Sequence, residues 1–220
     1  MNPRSLLFDL DNTLLDRQAA VRAYLAGWLE RSQASIDEES FLEEALLVDA
    51  LGYAPREDFL AWWSRRSNGQ TTADLWTDWQ THLSEHIAPD PHLKPFIEAL
   101  NERFALAIVT NGGIKTQRPK LDALGLYELV DSAHVLISGA LGSWKPDPQI
   151  FLIASERVGH DPGDCMFIGD DPARDIAGAH RVGMQTCWVR MNRDPEVAFA
   201  ELDVWPDRIV NHYAEVLELL

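Results

Sequence analysis

The stretch Leu6-Leu7-Phe8-Asp9-Leu10-Asp11-Asn12-Thr13-Leu14 decides how this chain is read. An apolar run of strand-like residues ends in two carboxylates and a hydroxyl. On a strand, residues two apart face the same side. Asp9 and Asp11 are therefore expected to project together from the strand's carboxyl end, where ligands of open α/β sheets sit. Two acids held close repel each other when both are ionised, so the pair calls for a cation, or for a proton kept on one member. Taken alone, the same residues also read as a polar turn closing a strand. The remainder of the chain separates these readings.

The bulk properties set the frame. With 220 residues, 46% hydrophobic and 25% charged, the chain has the make-up of a soluble globular protein with a sizeable core. Its net charge of −16 argues against nucleic acid or an anionic membrane as partner. A small anionic substrate remains compatible, because a local cation reverses the field inside a site. The two cysteines, Cys165 and Cys187, lie in apolar stretches and read as buried free thiols, with no disulfide framework or zinc site. No apolar run approaches the ~20 residues that span a bilayer. The first strand begins within a few residues of Met1, leaving no room for a signal peptide, and a cytoplasmic location is the default expectation.

Working outward from the first strand, the pattern turns helical after Asp16 and stays so to about residue 88. Val21, Tyr24, Leu25, Trp28 and Leu29 recur at helical spacing. Ser35-Ile36-Asp37-Glu38 has the form of a capping box ahead of a second helix. Phe59, Trp62 and Trp63 mark a third helix, and Leu75, Trp76, Trp79, Leu83 and Ile87 a fourth. Such a strand-free block is expected to be an inserted helical subdomain over residues 17–88. Five of the eight tryptophans fall inside it, most of them as core filler, with one or two available to face a substrate.

From residue 91 strands and helices alternate. Apolar strands at 104–109, 134–137, 165–168 and 185–189, with a short one at Ile209-Val210, are separated by helical segments at 114–124, 147–158 and 172–182. Repeated βα units predict an α/β fold: a doubly wound parallel sheet built from residues 1–16 and 89–220, interrupted by the helical insertion.

Three predicted strands end in polar clusters, Asp9/Asp11, Thr110/Asn111 and Asp170/Asp171, and a parallel sheet brings all three ends to one edge. Asp170 is the candidate metal ligand. Asp171-Pro172 also has the form of a helix N-cap with proline at the first helical position. Asp175, one turn later, either complements the helix N-terminus or supports a metal from behind. Lys145-Pro146-Asp147-Pro148 fixes Lys145 in a loop just before a helix start. Asn111-Gly112-Gly113 precedes a helix, where backbone N–H groups favour anions, although Asn-Gly is also a common turn. Together these parts suit one chemistry. Carboxylates with Mg²⁺ hold phosphate, and one carboxylate attacks phosphorus while a second moves protons. A hydroxyl, amides and a lysine would hold the phosphoryl oxygens.

In this arrangement the sequence resembles the haloacid dehalogenase-like hydrolase superfamily. Four motifs carry the resemblance in order: Asp9-Leu10-Asp11-Asn12-Thr13, Thr110-Asn111-Gly112, Lys145-Pro146-Asp147-Pro148, and Gly169-Asp170-Asp171 with Asp175. The resemblance implies a Rossmann-like core with a helical cap at 17–88, inserted after the first strand. It implies Asp9 as nucleophile and Mg²⁺ ligand, and Asp11 as general acid/base that also ligates the metal through its backbone carbonyl. Thr110, Asn111 and Gly112 would bind the phosphoryl group, Lys145 would offset charge, and Asp170 would ligate the metal, with Asp171 and Asp175 behind it. True dehalogenases of this superfamily lack an acid two residues after the nucleophile, so Asp11 favours a phosphatase. Sugar-phosphate mutases share all four motifs, and a catalytically silent binding module is the non-enzymatic alternative. The expectation is a phosphomonoesterase for a small metabolite, a nucleotide or sugar phosphate among them. Oligomeric state is not encoded in any of these features.

Overall fold

The computed structural model describes residues 2–32 and 36–220. Six strands, β1 (Ser5–Phe8), β2 (Ala105–Thr110), β3 (Val135–Ile137), β4 (Cys165–Gly169), β5 (Gln185–Val189) and β6 (Arg208–Val210), form one sheet. Their order is β3-β2-β1-β4-β5-β6, and each neighbouring pair is parallel. The chain winds outward on one side of β1 and then returns to build the other side. The order reverses between β1 and β4, which makes the crevice at their carboxyl ends the ligand position of a doubly wound sheet.

The strands are largely apolar because both faces of the sheet are covered. Leu7 packs with Ala107, Val109, Phe167 and Phe151, the last from the helix Pro148–Arg157. Phe151 and Phe167 meet edge to face at 5.0 Å. On the other side, Phe8 meets Phe96 at 5.9 Å. Phe96 belongs to the helix Leu93–Asn101, whose Leu93, Phe96, Ile97 and Leu100 are all buried. The strands from residue 104 onward appear within a residue of their expected limits, whereas the first, expected over residues 4–10, covers only Ser5–Phe8. The segment Tyr213–Leu219, expected as a closing helix, is of 3₁₀ type.

The chain divides into two compact units, one of residues 1–15 and 89–220 and the other of residues 16–88. The second unit contains helices α1 (Arg17–Ser32), α2 (Glu38–Asp49), α3 (Arg56–Ser64) and α4 (Thr72–His82). Its core is aromatic: Trp63 lies within 5.0 Å of Trp28, 5.9 Å of Tyr24 and 6.4 Å of Trp79. Four of the five tryptophans here are buried core residues, and Trp76 packs against them half-buried. Two polar tips in this core are paired, Trp28 Nε1 donating to Gln70 and Trp62 Nε1 to Glu44, while the buried Trp63 Nε1 has no hydrogen-bond partner. Arg17 and Asp49 form a buried, two-pronged ion pair.

The capping box expected at Ser35 falls on a residue outside those described. The start of α2 is capped by Asp37, whose side chain accepts from Ser40 N at 3.0 Å.

Candidate active site

Strand register brings the candidate residues together. Phe8 sits level with Ile108 on one side and Ile168 on the other, and Asp9 N donates to Ile168 O at 2.9 Å. Asp9 therefore leaves β1 between the ends of β2 and β4, where Thr110 and Asp170 stand.

Among the described residues, Asp9, Asp170 and Asp175 each offer a carboxylate oxygen within 4.8 Å of the others, and all three are buried. Lys145 Nζ reaches into the same group, 2.6 Å from Asp9 Oδ1 and 2.7 Å from Asp175 Oδ1. Burial lifts the Asp9 carboxyl to about 7; Lys145 pulls it back down, while Asp175 and Asp11 push it further up. Asp175 is raised for the same first reason, burial, opposed by Lys145. For Lys145, burial works against the charge, but Asp175 and Asp9 together hold the ammonium above the ordinary lysine value. Three buried carboxylates around one ammonium form an all-oxygen donor set with excess negative charge. That is the environment a hard divalent cation such as Mg²⁺ fits.

Asp175 joins this set through a local irregularity. Residues Pro172–Ile176 form a wide π-type turn, in which Asp171 O accepts from both Asp175 N and Ile176 N. Asp175 Oδ2 accepts from Asp171 N at 3.0 Å, lying against Gly169, where a Cβ would stand 2.3 Å from it. The glycine that opens Gly169-Asp170-Asp171 is thus the space Asp175 occupies. Asp171 resolves to the structural reading: its carboxylate caps the turn, accepting from Ala173 N and Arg174 N at 2.9 Å each.

Asp11 lies past the end of the strand. β1 ends at Phe8, and the chain turns through Asn12 at φ 61°, so the alternation of a strand no longer governs Asp11. Its carboxylate meets Lys120 Nζ at 2.6 and 2.8 Å and Gln117 Nε2 at 2.8 Å.

The Thr110-Asn111-Gly112 loop also differs in detail. Thr110 Oγ1 accepts from Gln117 Nε2 at 2.5 Å. The Asn111 amide clasps the Lys145 backbone, Nδ2 donating to Lys145 O at 2.8 Å and Oδ1 accepting from Lys145 N at 2.9 Å. Its visible task is to hold the loop that carries the lysine. Gly112 N donates to Ser138 Oγ at 2.9 Å.

Sequence reasoning missed three contributors. Gln117 and Lys120 lie one turn apart on the helix Ile114–Ala123 and are buried. A helix starting directly after a strand-end cluster turns its first residues toward that edge, and this signal was available. Arg193 donates to Asp170 O at 2.6 Å and to its Oδ2 at 3.3 Å, while Trp188 Nε1 donates to the same carbonyl at 2.8 Å. Arg193 lies in a loop after β5, with no motif around it.

A doubly wound parallel sheet with a carboxylate and lysine cluster at its switch point has the form of an α/β enzyme. The chain belongs to the haloacid dehalogenase-like hydrolase family, whose model matches residues 3–183. Glyceraldehyde 3-phosphate phosphatase of Methanopyrus kandleri is 28% identical over 99% of this chain and 97% of its own. Phosphoserine phosphatase of Thermus thermophilus is 30% identical over 90% and 93%. Ribulose-1,5-bisphosphate 5-phosphatase of Halopiger xanaduensis is 32% identical over 83% and 82%. Among solved structures, the putative hydrolase YfnB of Bacillus subtilis, bound to magnesium, superposes with a TM-score of 0.81. It is 25% identical and covers 100% of this chain and 99% of its own. With such relatives, the chain is a hydrolase of the phosphatase type within its family.

Proposed function

We propose that the protein is a Mg²⁺-dependent phosphomonoesterase for a small phosphorylated metabolite, acting through an aspartyl-phosphate on Asp9. The observation that carries this reading is the group of Asp9, Asp170 and Asp175 oxygens within 4.8 Å of one another, joined by Lys145. Mg²⁺ would be held by Asp9, Asp170 and the backbone carbonyl of Asp11, with Asp175 beside them, and would neutralise phosphoryl charge. The magnesium bound in the YfnB structure supports this assignment.

The chain's own residues then divide the chemistry. Asp9 attacks phosphorus, and the bond from phosphorus to the ester oxygen breaks. Asp11 gives its proton to the departing alkoxide. In the second half, Asp11 takes a proton from water as the water oxygen attacks phosphorus, the bond to Asp9 breaks, and inorganic phosphate leaves. Lys145 faces the oxygen of Asp9 and offsets the charge that gathers there. Thr110 supplies a hydroxyl at the end of β2, and Asn111 keeps the Lys145 loop in register with it. Buried cysteines, with thiols pushed up to about 11 and about 12, take no part.

The test is a panel of phosphate esters, sugar and nucleotide phosphates included, read by release of inorganic phosphate with and without EDTA. Metal-dependent release that Asp9→Asn abolishes is the expected result. Full release in EDTA, or isomerisation without release, would replace the proposal with another chemistry.

A further inference from the structure

We infer that Lys120 and Gln117 are positioning residues for the acid–base carboxylate, Asp11. The inference rests on the role proposed above for Asp11, and its own basis is geometric. Asp11 lies beyond the end of β1, at the start of a turn through Asn12. Lys120 Nζ engages both of its oxygens, at 2.6 and 2.8 Å. Gln117 Nε2 adds a third contact at 2.8 Å and reaches Thr110 Oγ1 at 2.5 Å. One side-chain amide therefore ties the acid–base group to the hydroxyl at the neighbouring strand end.

The two residues are built for this purpose. Lys120 is 5% exposed and Gln117 2%, in a helix otherwise rich in solvated polar residues. Burying an ammonium is costly unless a partner meets it. The cost recurs for no packing gain that an apolar residue would not supply better. Gly112 makes the room: a Cβ there would stand 2.8 Å from Gln117 Cγ and 2.9 Å from its Cδ. The glycine of the second motif, with its N–H given to Ser138, thus serves the acid–base group by letting Gln117 pass. Two lysines then share the site, Lys145 on the nucleophile, from a loop, and Lys120 on the acid–base carboxylate, from the helix Ile114–Ala123.

A group that positions a general acid reveals itself through the leaving group. An alkoxide needs the proton as the ester bond breaks, whereas p-nitrophenolate leaves without it. The experiment compares β-glycerol phosphate with p-nitrophenyl phosphate for wild type, Lys120→Met, Gln117→Met, Lys120→Arg and Asp11→Asn, each checked for folding by thermal melting. Lys120→Met is expected to lower kcat on β-glycerol phosphate by about 10²-fold, the typical size of a misplaced acid–base group. KM and the first-turnover burst of p-nitrophenolate stay within about twofold. Lys120→Arg recovers most of the lost rate.

Equal losses on both esters including the burst, or a rise in KM alone, would overturn the inference. So would unchanged alkyl-ester turnover in both methionine variants. If Lys120→Met does not fold, Gln117→Met carries the comparison. Asp11→Asn separates the two claims. A leaving-group effect in Asp11→Asn that is missing in the Lys120 and Gln117 variants removes the positioning role alone. No such effect in Asp11→Asn removes the acid–base reading itself.

Discussion

Replacing Lys145 by methionine takes one ammonium from between two buried carboxylates. In the folded chain Lys145 Nζ is 2.6 Å from Asp9 and 2.7 Å from Asp175, with side chains 3%, 8% and 1% exposed. Burial already lifts Asp9 from 3.8 to about 7 with the lysine present, equivalent to about 4 kcal/mol against ionising it inside the fold. Removing one partner of a buried ion pair costs about 3–5 kcal/mol. The sign with pH follows from linkage. An acid raised in the folded state favours the fold fully below its unfolded value. It loses that contribution as pH climbs from 3.8 through about 7. Without Lys145, Asp9 and Asp175 are raised further, so the cost grows with pH. Urea unfolding in EDTA, followed by ellipticity, should show Lys145→Met less stable than wild type by about 3–5 kcal/mol near pH 8.5. At about pH 5, where both acids can take up protons, the loss should fall to less than roughly half of that. Mg²⁺ should restore part of the difference, because it binds the folded carboxylates and not the unfolded chain. A variant as stable as wild type at high pH, or a loss independent of pH, would refute this electrostatic account.

Other expectations follow from single contacts. Arg193→Met removes one donor from the carbonyl and one from the carboxylate of Asp170, and calorimetric titration should show Mg²⁺ affinity weakened about 10–100-fold. Gly169→Ala sets a methyl 2.3 Å from Asp175 Oδ2; the carboxylate must move, and thermal melting should report a loss of at least ~1–3 kcal/mol, with metal affinity falling alongside. Cys165 and Cys187 are fully buried, and desolvation lifts their thiols to about 11 and about 12. Neither should react with Ellman's reagent at neutral pH until denaturant is added.

The strands were legible because burial on both faces leaves an unbroken apolar run, as in Leu6-Leu7-Phe8 and Cys165-Met166-Phe167-Ile168. Their polar ends pointed to one edge before any order was known. The sheet order itself was not written in any segment, and neither was the place of Asp175 beside Asp9. That place depends on a π-type turn whose sequence, Pro172-Ala173-Arg174-Asp175-Ile176, looks like any helix start. Lys120 was hidden because a lysine in Ile114–Ala123, where charged and polar residues predominate, reads as solvated. Only the fold reveals that its face meets Asp11. Arg193 was hidden for the opposite reason, since loop residues carry no periodicity to read. The tryptophan block reads as the sequence suggested: four of its five rings are buried in one another's core.

The central claim is that the Asp9 carboxylate becomes phosphorylated and is released by water attacking phosphorus. Single turnover with enzyme in excess, in oxygen-18 water, tests it directly, with acid quench and mass spectrometry of the Asp9 peptide. The account predicts a transient phosphoryl group on Asp9, heavy oxygen in the released phosphate, and none in the aspartate. An Asp9 peptide that never carries phosphate, or one that gains heavy oxygen in its carboxylate, would contradict it.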